Sequence, residues 1–315
     1  MIKKLLKKIN VALRELIFFS FPVGFLEFLF IAFNTETKLG RKIEKKKHLF
    51  VVKKLEKKYS KVISDLNELN DSNSTQIVEN KNVFIFWYQG IENAPLIVHE
   101  CIKSIKKAYC DYNIVFLDKN NIKEYSNIPE YIYEKLASNK ITITHFSDIL
   151  RLNLLLNHGG VWIDSTCFCT DVPDYKNLTF FTIAHNIGID WNICMGKLSA
   201  FYLASGKNNY LIKWVYSFII KYWEKENVLP CYFFIDCVFF LACKSNLKNR
   251  TLMERVPKNN ENVFLLDNLL RQEDIKIESY KDALCENNTF KLSYKRKYSR
   301  SISDLKKLME ESKNE

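Results

Sequence analysis

The stretch Thr144–Phe168 constrains the fold most, because a helical pattern and a strand pattern meet in it at two consecutive glycines. Apolar residues recur there at three- and four-residue spacing, which is typical of one helical face. These residues are Phe146, Ile149, Leu150, Leu152, Leu155 and Leu156. Thr144 can cap the start of this helix, and Gly159 and Gly160 can end it. We therefore predict a helix and then a short buried strand.

The predicted strand, Val161–Ile163, is followed by Asp164. From Asp148 to the glycines the helix rises about 15 Å at ~1.5 Å per residue. Four strand residues return about 13 Å at ~3.3 Å each. If helix and strand run antiparallel, Asp148, Arg151 and Asp164 lie at one level, at the carboxyl end of the strand. Open α/β sheets bind their ligands at that edge.

The residues before this stretch alternate between strand and helix patterns. Val83–Trp87 and Asn113–Leu117 are predicted strands, and Pro95–Tyr109 between them is a predicted helix. This order favours an α/β fold with a mostly parallel central sheet flanked by helices. Further predicted elements are helices at Asn121–Ser126, Pro129–Ser138, Asn208–Glu226 and Cys231–Lys244 and a strand at Leu178–Ala184.

The positive charge is confined to the amino-terminal segment. Residues 1–60 hold 15 of the 47 Lys and Arg but only 5 of the 36 Asp and Glu, so they account for +10 of the net charge of +11. A nucleic-acid-binding domain is expected to carry its charge on the folded face. We therefore predict no nucleic-acid partner.

The nine cysteines favour a reducing compartment. Their number is odd, and no two have the two-residue gap typical of zinc or redox sites. Most lie in apolar surroundings, where a buried reduced thiol is expected. The cytosol therefore fits better than a secretory route.

The first 60 residues allow several interpretations, of which a signal peptide is disfavoured because Phe33-Asn34-Thr35 is not a small-residue cleavage site. Met1–Arg14 has the pattern of a basic amphipathic helix, and Leu16–Phe33 is strongly apolar but contains Glu27. A spanning helix needs roughly 20 apolar residues, so this run is marginal. An interfacial helix backed by polybasic residues needs fewer, and two weak signals together hold a protein on anionic lipid. We favour peripheral association with the inner face of the cell membrane, while a true span or a core helix stays open.

We predict four regions along the chain. Residues 1–60 form a helical amino-terminal extension for membrane association, and residues 61–81 form a linker because they are polar and repetitive in asparagine. Residues 82–300 form the α/β domain, and residues 301–315 form a polar tail. Within 1–60, the Lys-rich stretch Lys38–Lys58 can lie on the membrane or be a solvated helix.

The charged groups near the glycines permit two interpretations. An Asp148–Arg151 pair one turn apart can be a surface ion pair worth under ~1 kcal/mol. In a cleft the same pair can accept sugar hydroxyls and stabilise a diphosphate. Asp164 can cap a turn or bind a hard divalent cation. Trp87 and Trp162 can stack on a ligand, although aromatic side chains are more common in cores.

The motifs in combination resemble the capsular polysaccharide synthesis protein family. This family comprises bacterial relatives of the family-32 mannosyltransferases and, more remotely, of the clostridial toxin glucosyltransferases. The core of the resemblance is Ser147–Arg151, seven residues before Gly159–Asp164, with Ser165 and Thr166 next. Other matching motifs in family order, over about 83–295, are Phe86–Gly90, Asn93–Pro95, Leu117–Pro129, Trp191-Asn192, Tyr222–Asp236 and Lys291–Lys295.

The resemblance implies a GT-A-like nucleotide-diphospho-sugar transferase fold and roles for particular residues. Asp148 and Arg151 would contact the donor sugar and diphosphate, and Trp87 would lie near the nucleotide base. Asp164 would hold Mn²⁺ or Mg²⁺, which neutralises the leaving diphosphate. Trp162 would belong to the donor site. Trp191, Asn192 and Asp236 would border the sugar or the acceptor.

This chain departs from the wider superfamily at the metal motif. The usual Asp-x-Asp is Asp164-Ser165-Thr166 here, so the second carboxylate is missing. Thr166 can coordinate a cation weakly, and Asp171 or His185 can substitute for the absent aspartate. Mn²⁺ or Mg²⁺ stays the predicted cofactor, and a weakly bound or dispensable metal is the open alternative.

The sequence thus predicts a membrane-associated cytoplasmic glycosyltransferase. It would transfer a sugar to a lipid-linked glycan acceptor of a capsule or other surface polysaccharide. The expected donor is a UDP-hexose. The resemblance implies retention of anomeric configuration. Two alternatives stay open, namely transfer of a nucleotide-linked alditol phosphate on the same fold and a non-catalytic membrane-bound scaffold.

Overall fold

The structure is a computed structural model that describes residues 2–33, 35–68, 78–185, 190–272 and 277–302. Its α-helices are α1 (Ile2–Arg14), α2 (Phe21–Ala32), α3 (Lys38–Lys58), α4 (Ser60–Asn67), α5 (Leu96–Ala108), α6 (Ile122–Tyr125), α7 (Glu130–Ala137), α8 (Ile143–His158), α9 (Tyr210–Lys225), α10 (Phe234–Ser245), α11 (Leu247–Glu254), α12 (Leu265–Leu270) and α13 (Lys281–Cys285). Short turns of π- and 3-10 helix lie at Glu15–Phe19, Ile91–Asn93 and Ile277–Tyr280.

The strands form a five-stranded sheet and a two-stranded sheet. They are β1 (Asn82–Phe86), β2 (Asn113–Leu117), β3 (Gly160–Ile163), β4 (Cys167–Cys169), β5 (Phe180–Thr182), β6 (Tyr202–Ser205) and β7 (Thr289–Lys291). The larger sheet has the order β2-β1-β3-β6-β5. β1 is parallel to β2 and β3, whereas β6 is antiparallel to both β3 and β5. Four strands therefore run in one direction and β6 in the other, which confirms the predicted α/β class with a mostly parallel sheet.

Helices cover both faces of this sheet because side chains alternate along each strand. Phe84 and Phe86 of β1 belong to a core that includes residues of α8, α9 and α10. Val83 and Ile85 of the same strand face a second core, which includes residues of α5. Trp87 and Asp164 directly follow the parallel strands β1 and β3, so both lie at the carboxyl edge of the sheet.

The turn between α8 and β3 requires both glycines. Gly159 and Gly160 have φ of 67° and 100°, a region that side chains disfavour. A Cβ atom at Gly160 would lie 2.4 Å from the backbone oxygen of Asn82. At the other end, Thr142 rather than Thr144 caps α8, since Thr142 Oγ1 accepts from His145 N at 3.1 Å. Thr144 lies inside the first helical turn, so the predicted cap is wrong by two residues.

The amino-terminal extension packs onto the rest of the chain. Val51, Val52 and Leu55 of α3 are buried in the core that contains α8, α9 and α10. Lys47 of α3 is buried and ion-paired with Glu27 of α2 at 2.5 Å. α3 is thus partly a core helix, not simply a solvated or membrane-lying one. Within the described residues, none of the helices combines the length and apolar character that crossing a bilayer needs.

Residues 61–81 are predicted to be a linker, but the first of them form a helix. α4 occupies Ser60–Asn67, and its Ile63 and Leu66 are buried. Trp214 Nε1 of α9 donates to Asn67 Oδ1 at 2.9 Å, so the helix is fixed to the core. The local sequence is polar because only one side of this short helix is buried. Residues 69–77, and residues 303–315 of the predicted tail, lie outside the described residues.

Candidate functional site

Asp164 is the centre of a charged cluster at the end of β3. Its Oδ1 accepts from Trp162 Nε1 at 2.9 Å and lies 3.4 Å from Arg151 Nη2. Its Oδ2 accepts from Lys291 Nζ at 2.7 Å. Burial alone would raise the pKa of the Asp164 carboxyl, but the charges of Lys291 and Arg151 lower that pKa below its ordinary value. Asp164 is therefore an anion whose two oxygens both have donors.

Arg151 joins the two aspartates that the sequence places at one level. Its Nη1 lies 3.2 Å from Asp148 Oδ1, and its Nη2 reaches Asp164. The guanidinium also lies 5.1 Å from the ring centroid of Trp162. Asp148 and Arg151 have exposed fractions of only 6% and 4%. The predicted antiparallel geometry of helix and strand is confirmed, and the result is a buried ionic group.

His145 extends this cluster on the side away from Asp164. Trp223 Nε1 donates to His145 Nε2 at 2.8 Å, and His145 Nδ1 lies 3.3 Å from Asp148 Oδ2. Because an indole nitrogen only donates, Nε2 must be the acceptor, so the proton of a neutral His145 is on Nδ1 and is donated to Asp148. The sequence could indicate the contact of His145 with Asp148, because the two residues are three apart on one helix. It could not indicate the contact with Trp223, which is distant in the chain.

Lys291 belongs to a motif of the resemblance, Lys291–Lys295, but sequence reasoning assigned this residue no role. It ends β7, and β7 pairs antiparallel with β4, so Lys291 lies opposite Cys167 and next to the Asp164–Thr166 turn. Its Nζ donates to Asp164 Oδ2 and to Thr166 Oγ1, both at 2.7 Å. No local spacing signals this contact, because the two sites are more than 120 residues apart.

A cavity of about 970 Å³ adjoins this cluster. Its walls include Trp87, Trp162, Asp164 and Lys291, together with Tyr294. Trp87 packs edge-to-face on Tyr294 with ring centroids 5.1 Å apart, and Trp87 Nε1 is buried without a hydrogen-bond partner among the described residues. Asp148 and Arg151 do not line the cavity but lie behind Asp164 and Trp162. Their predicted direct contact with a donor stays a prediction.

The donor set around Asp164 does not fit a divalent cation. Mg²⁺ and Mn²⁺ prefer several oxygen ligands, usually with more than one carboxylate or phosphate among them. Among the described residues that line the cavity, Asp164 is the lone carboxylate, and both of its oxygens already accept from cationic or indole donors. Among the described residues, no group of three or more His, Cys, Asp or Glu could hold a metal ion.

The alternative metal ligands lie elsewhere. Asp171 is exposed and accepts from Val172 N at 2.7 Å, and His185 is buried with its ring 5.3 Å from that of Phe264. Neither residue lines the cavity, whereas Thr166 does. Burial also lowers the pKa of His185. The structure therefore brings only Thr166 of the three to Asp164, and Lys291 lies between them.

A family model described as capsular polysaccharide synthesis protein matches residues 32–310. The chain belongs to this family. The match begins before α3, which agrees with the packing of α3 against the core. It bears out the resemblance that the motifs around Asp148, Arg151 and Asp164 indicate.

Two further proteins resemble this family member. The "O-glycosyltransferase braB" of Annulohypoxylon truncatum is 29% identical over 101 residues, which is 29% of this chain and 24% of that protein. The chain thus matches about a quarter of the length of this curated relative. A solved structure named "PaToxG Glycosyltransferase" is 16% identical with a TM-score of 0.38, over 67% of this chain and 89% of that one.

Three predicted site residues of this family member remain, and they lie outside the charged cluster. Asn192 and Asp236 form a buried hydrogen-bonded pair, and Trp191 is the neighbour of Asn192 in the chain. Asn192 Nδ2 donates to Asp236 Oδ1 at 3.0 Å, and Trp191 packs edge-to-face on Phe233 with centroids 5.2 Å apart. Burial raises the pKa of Asp236 to about 7, although the Asn192 hydrogen bond opposes this. None of the three lines the cavity, but Tyr232 does. A role next to the sugar or acceptor stays a prediction for them.

Proposed function

We propose that this protein is a glycosyltransferase of capsular polysaccharide synthesis that transfers a hexose from a UDP-sugar to a lipid-linked glycan. The observation that carries the proposal is the charged cluster of Asp164, Arg151 and Lys291 at a large cavity, in a member of this family. The names of the family and of the curated relative support the reaction class. The position of the cluster beside the cavity supports this cavity as the donor site.

The size and walls of the cavity suit a nucleotide-sugar. Ligand pockets commonly enclose ~300–1,000 Å³, and this cavity of about 970 Å³ is at the upper end. Trp87 and Tyr294 line the cavity and offer aromatic faces and edges for a base. Lys291 and Asp164 line the same cavity as Trp87, so we expect the diphosphate at Lys291 if the base binds at Trp87.

The charge arrangement suits the bond that breaks. In glycosyl transfer the bond between the anomeric carbon and the diphosphate oxygen breaks, so positive charge develops on the sugar and negative charge on the diphosphate. Fixed positive groups next to the diphosphate stabilise this separation without reorganising. We expect retention of configuration, with the acceptor hydroxyl attacking from the face that the diphosphate leaves and passing its proton to that diphosphate.

The first helices support peripheral attachment to the membrane that carries the acceptor. Exposed apolar side chains are concentrated there, namely Leu5, Leu6, Val11, Leu13, Ile17, Phe21, Phe25 and Phe33. Exposed lysines follow on α3, including Lys42, Lys45 and Lys46. An apolar surface beside a polybasic one binds anionic lipid through two contributions, burial of apolar side chains and electrostatic attraction. We propose the inner face of the cell membrane as the location.

Thermal protection by nucleotide-sugars tests the donor site. We expect a UDP-hexose to raise the unfolding temperature of the full chain in detergent, and Trp87→Leu to reduce that rise while the unliganded protein stays folded. Tyr125→Leu, at an aromatic position outside the cavity, is the matched control. A response to an alditol-linked nucleotide alone would overturn the hexose assignment, and no response to any nucleotide would overturn the reaction class.

Transfer itself needs a second assay. Radiolabelled UDP-sugars are incubated with full-length protein and a panel of lipid-linked glycans, and the lipid fraction is counted. We expect label in that fraction with wild-type protein and about 100-fold less with Asp164→Ala, since loss of its positioning contacts disturbs the reacting geometry.

A further inference from the structure

The ammonium of Lys291 bridges the first and third positions of the Asp164-Ser165-Thr166 motif. We propose that Lys291 binds the donor diphosphate as a built-in cation, in place of a divalent metal ion held by two motif aspartates. This inference rests on the proposed glycosyltransferase function and names a diphosphate-binding residue for it.

Formal charge supports this replacement. A motif with two aspartates has two negative charges, which a divalent cation balances. Here the third position is Thr166, which is neutral, so the motif carries only the charge of Asp164 and one ammonium balances it. Lys291 is therefore matched to the motif in this chain, and the second carboxylate is not needed.

A metal ion at the same place would meet two positive groups. Lys291 Nζ lies 2.7 Å and Arg151 Nη2 lies 3.4 Å from the Asp164 oxygens that would be the ligands. A cation that binds Asp164 would have to displace Lys291 and would be repelled by Arg151. The site is thus arranged for fixed side-chain cations.

Lys291 can remain charged and still reach a ligand. Burial would lower its pKa, but the neighbouring Asp164 raises that pKa above its ordinary value, so the side chain is an ammonium at neutral pH. Its exposed fraction is 20%, and it lines the cavity together with Asp164. An ammonium has three N–H donors, of which two bond to Asp164 and Thr166. The described residues make no further hydrogen bond to Lys291 Nζ, which also lies 5.1 Å from the ring centroid of Phe201. The third N–H is therefore available to a phosphate oxygen.

The same wall offers further contacts. Ser293, Tyr294 and Lys295 follow Lys291 and line the cavity as well. The hydroxyl of Ser293 and the ammonium of Lys295 are thus further polar groups on the wall that carries Lys291. The end of β7 and the residues after it form the cationic side of the proposed donor site.

Calorimetric titration of full-length protein with UDP, in EDTA and in Mn²⁺, tests the proposal. We expect wild-type protein to bind UDP with the same affinity within twofold in both buffers. Lys291→Met removes a charge-assisted hydrogen bond, and its UDP affinity should fall about 10- to 100-fold in both buffers. Lys291→Arg should restore most of the affinity. Lys221→Met, which removes an exposed lysine paired with Glu224 at 3.0 Å, is the matched control and should bind as wild type.

Two further titrations distinguish a wrong role for Lys291 from a wrong assignment of the donor site. Uridine has no phosphate, so its affinity should be the same in wild type and Lys291→Met. This also shows that the variant is folded. Asp164→Asn removes a would-be metal ligand but leaves Lys291, so UDP should still bind in EDTA.

The outcomes are distinct. Loss of UDP binding in EDTA with recovery in Mn²⁺, or wild-type affinity in Lys291→Met, would overturn the role of Lys291 and leave the proposed function intact. No binding of UDP or uridine to wild-type protein in either buffer would instead overturn the donor site.

Discussion

The guanidinium of Arg151 lies 3.2 Å from the carboxylate of Asp148, one helical turn before it, and both side chains are almost fully buried. The same guanidinium reaches Asp164 on the neighbouring strand. Arg151 is therefore the link between helix α8 and the end of β3. This link fixes Asp164, and through it Lys291, at the edge of the cavity.

Replacing Arg151 by Met should destabilise the fold as well as the site. Within the described part of the chain, Asp148 would keep His145 alone as a partner, and removal of one member of a buried ion pair costs about 3–5 kcal/mol. Urea unfolding followed by circular dichroism measures the free energy of unfolding. Arg255→Met, at an exposed arginine, should lose less than about 0.5 kcal/mol. Equal stability of Arg151→Met and wild type would contradict the structural role.

Asp236 gives the protein a pH dependence of the opposite kind to Asp164. Its pKa is about 7 in the folded protein and lower when unfolded, so the unfolded state loses its proton first as the pH rises. Stability should therefore fall between about pH 4 and pH 7, by up to a few kcal/mol, and stay low above pH 7. Asp164, whose pKa is lowered, contributes stability that is lost only as the pH falls below about 4.

The variant Asp236→Asn isolates the first effect. The amide has the same shape, keeps an oxygen for Asn192 and does not ionise. We expect it to be more stable than wild type at pH 8 and nearly equal at pH 4, below which Asp236 is protonated in both states, as measured by urea unfolding at both values. Parallel curves for the two proteins across this range would exclude the raised pKa.

Gly160→Ala should disrupt the turn that brings Asp164 back to Asp148. The added Cβ would lie 2.4 Å from the backbone oxygen of Asn82, and φ of 100° is itself unfavourable for alanine. We expect a loss of at least about 3 kcal/mol in the free energy of unfolding. Lys207→Ala, at an exposed residue near the same turn, is the control and should unfold like wild type. A stable Gly160→Ala protein would show that β1 and β3 can separate without cost.

The sequence was sufficient for the local half of the site and insufficient for the distant half. Asp148, Arg151 and Asp164 could be placed together because one helix and one strand with fixed rises connect them. Lys291 is 127 residues from Asp164, and Trp223 is 78 residues from His145. Contacts over such separations follow from strand pairing and helix packing, which periodicity does not encode.

The interpretation of α3 was uncertain for a different reason. A Lys-rich helix with an apolar stripe satisfies a membrane surface and a protein core equally well. Val51, Val52 and Leu55 in fact lie in the core, while lysines on the same helix are exposed. Only tertiary packing distinguishes the two cases, so the sequence left both open.

This packing changes how membrane attachment should be tested. Deletion of residues 1–60 would remove Val51, Val52 and Leu55 and expose the core. Loss of lipid binding in that truncation could then come from unfolding as well as from loss of the lipid contact. Substitutions at exposed positions avoid this problem. Ile17, Phe21 and Phe25 have exposed fractions of 65%, 66% and 49%, and the rings of Phe21 and Phe25 stack on each other.

The triple variant Ile17→Ser, Phe21→Ser and Phe25→Ser should bind vesicles of anionic lipid at least about 10-fold more weakly than wild type. Each buried apolar side chain contributes about 1.5–3 kcal/mol when it leaves water. Cosedimentation with vesicles measures the binding, and 0.5 M salt should weaken what remains, since the lysines act electrostatically. The matched control is Leu96→Ser with Leu247→Ser, which removes apolar side chains of 77% and 73% exposure elsewhere. Equal binding of the triple variant and this control would place the lipid contact away from the first two helices.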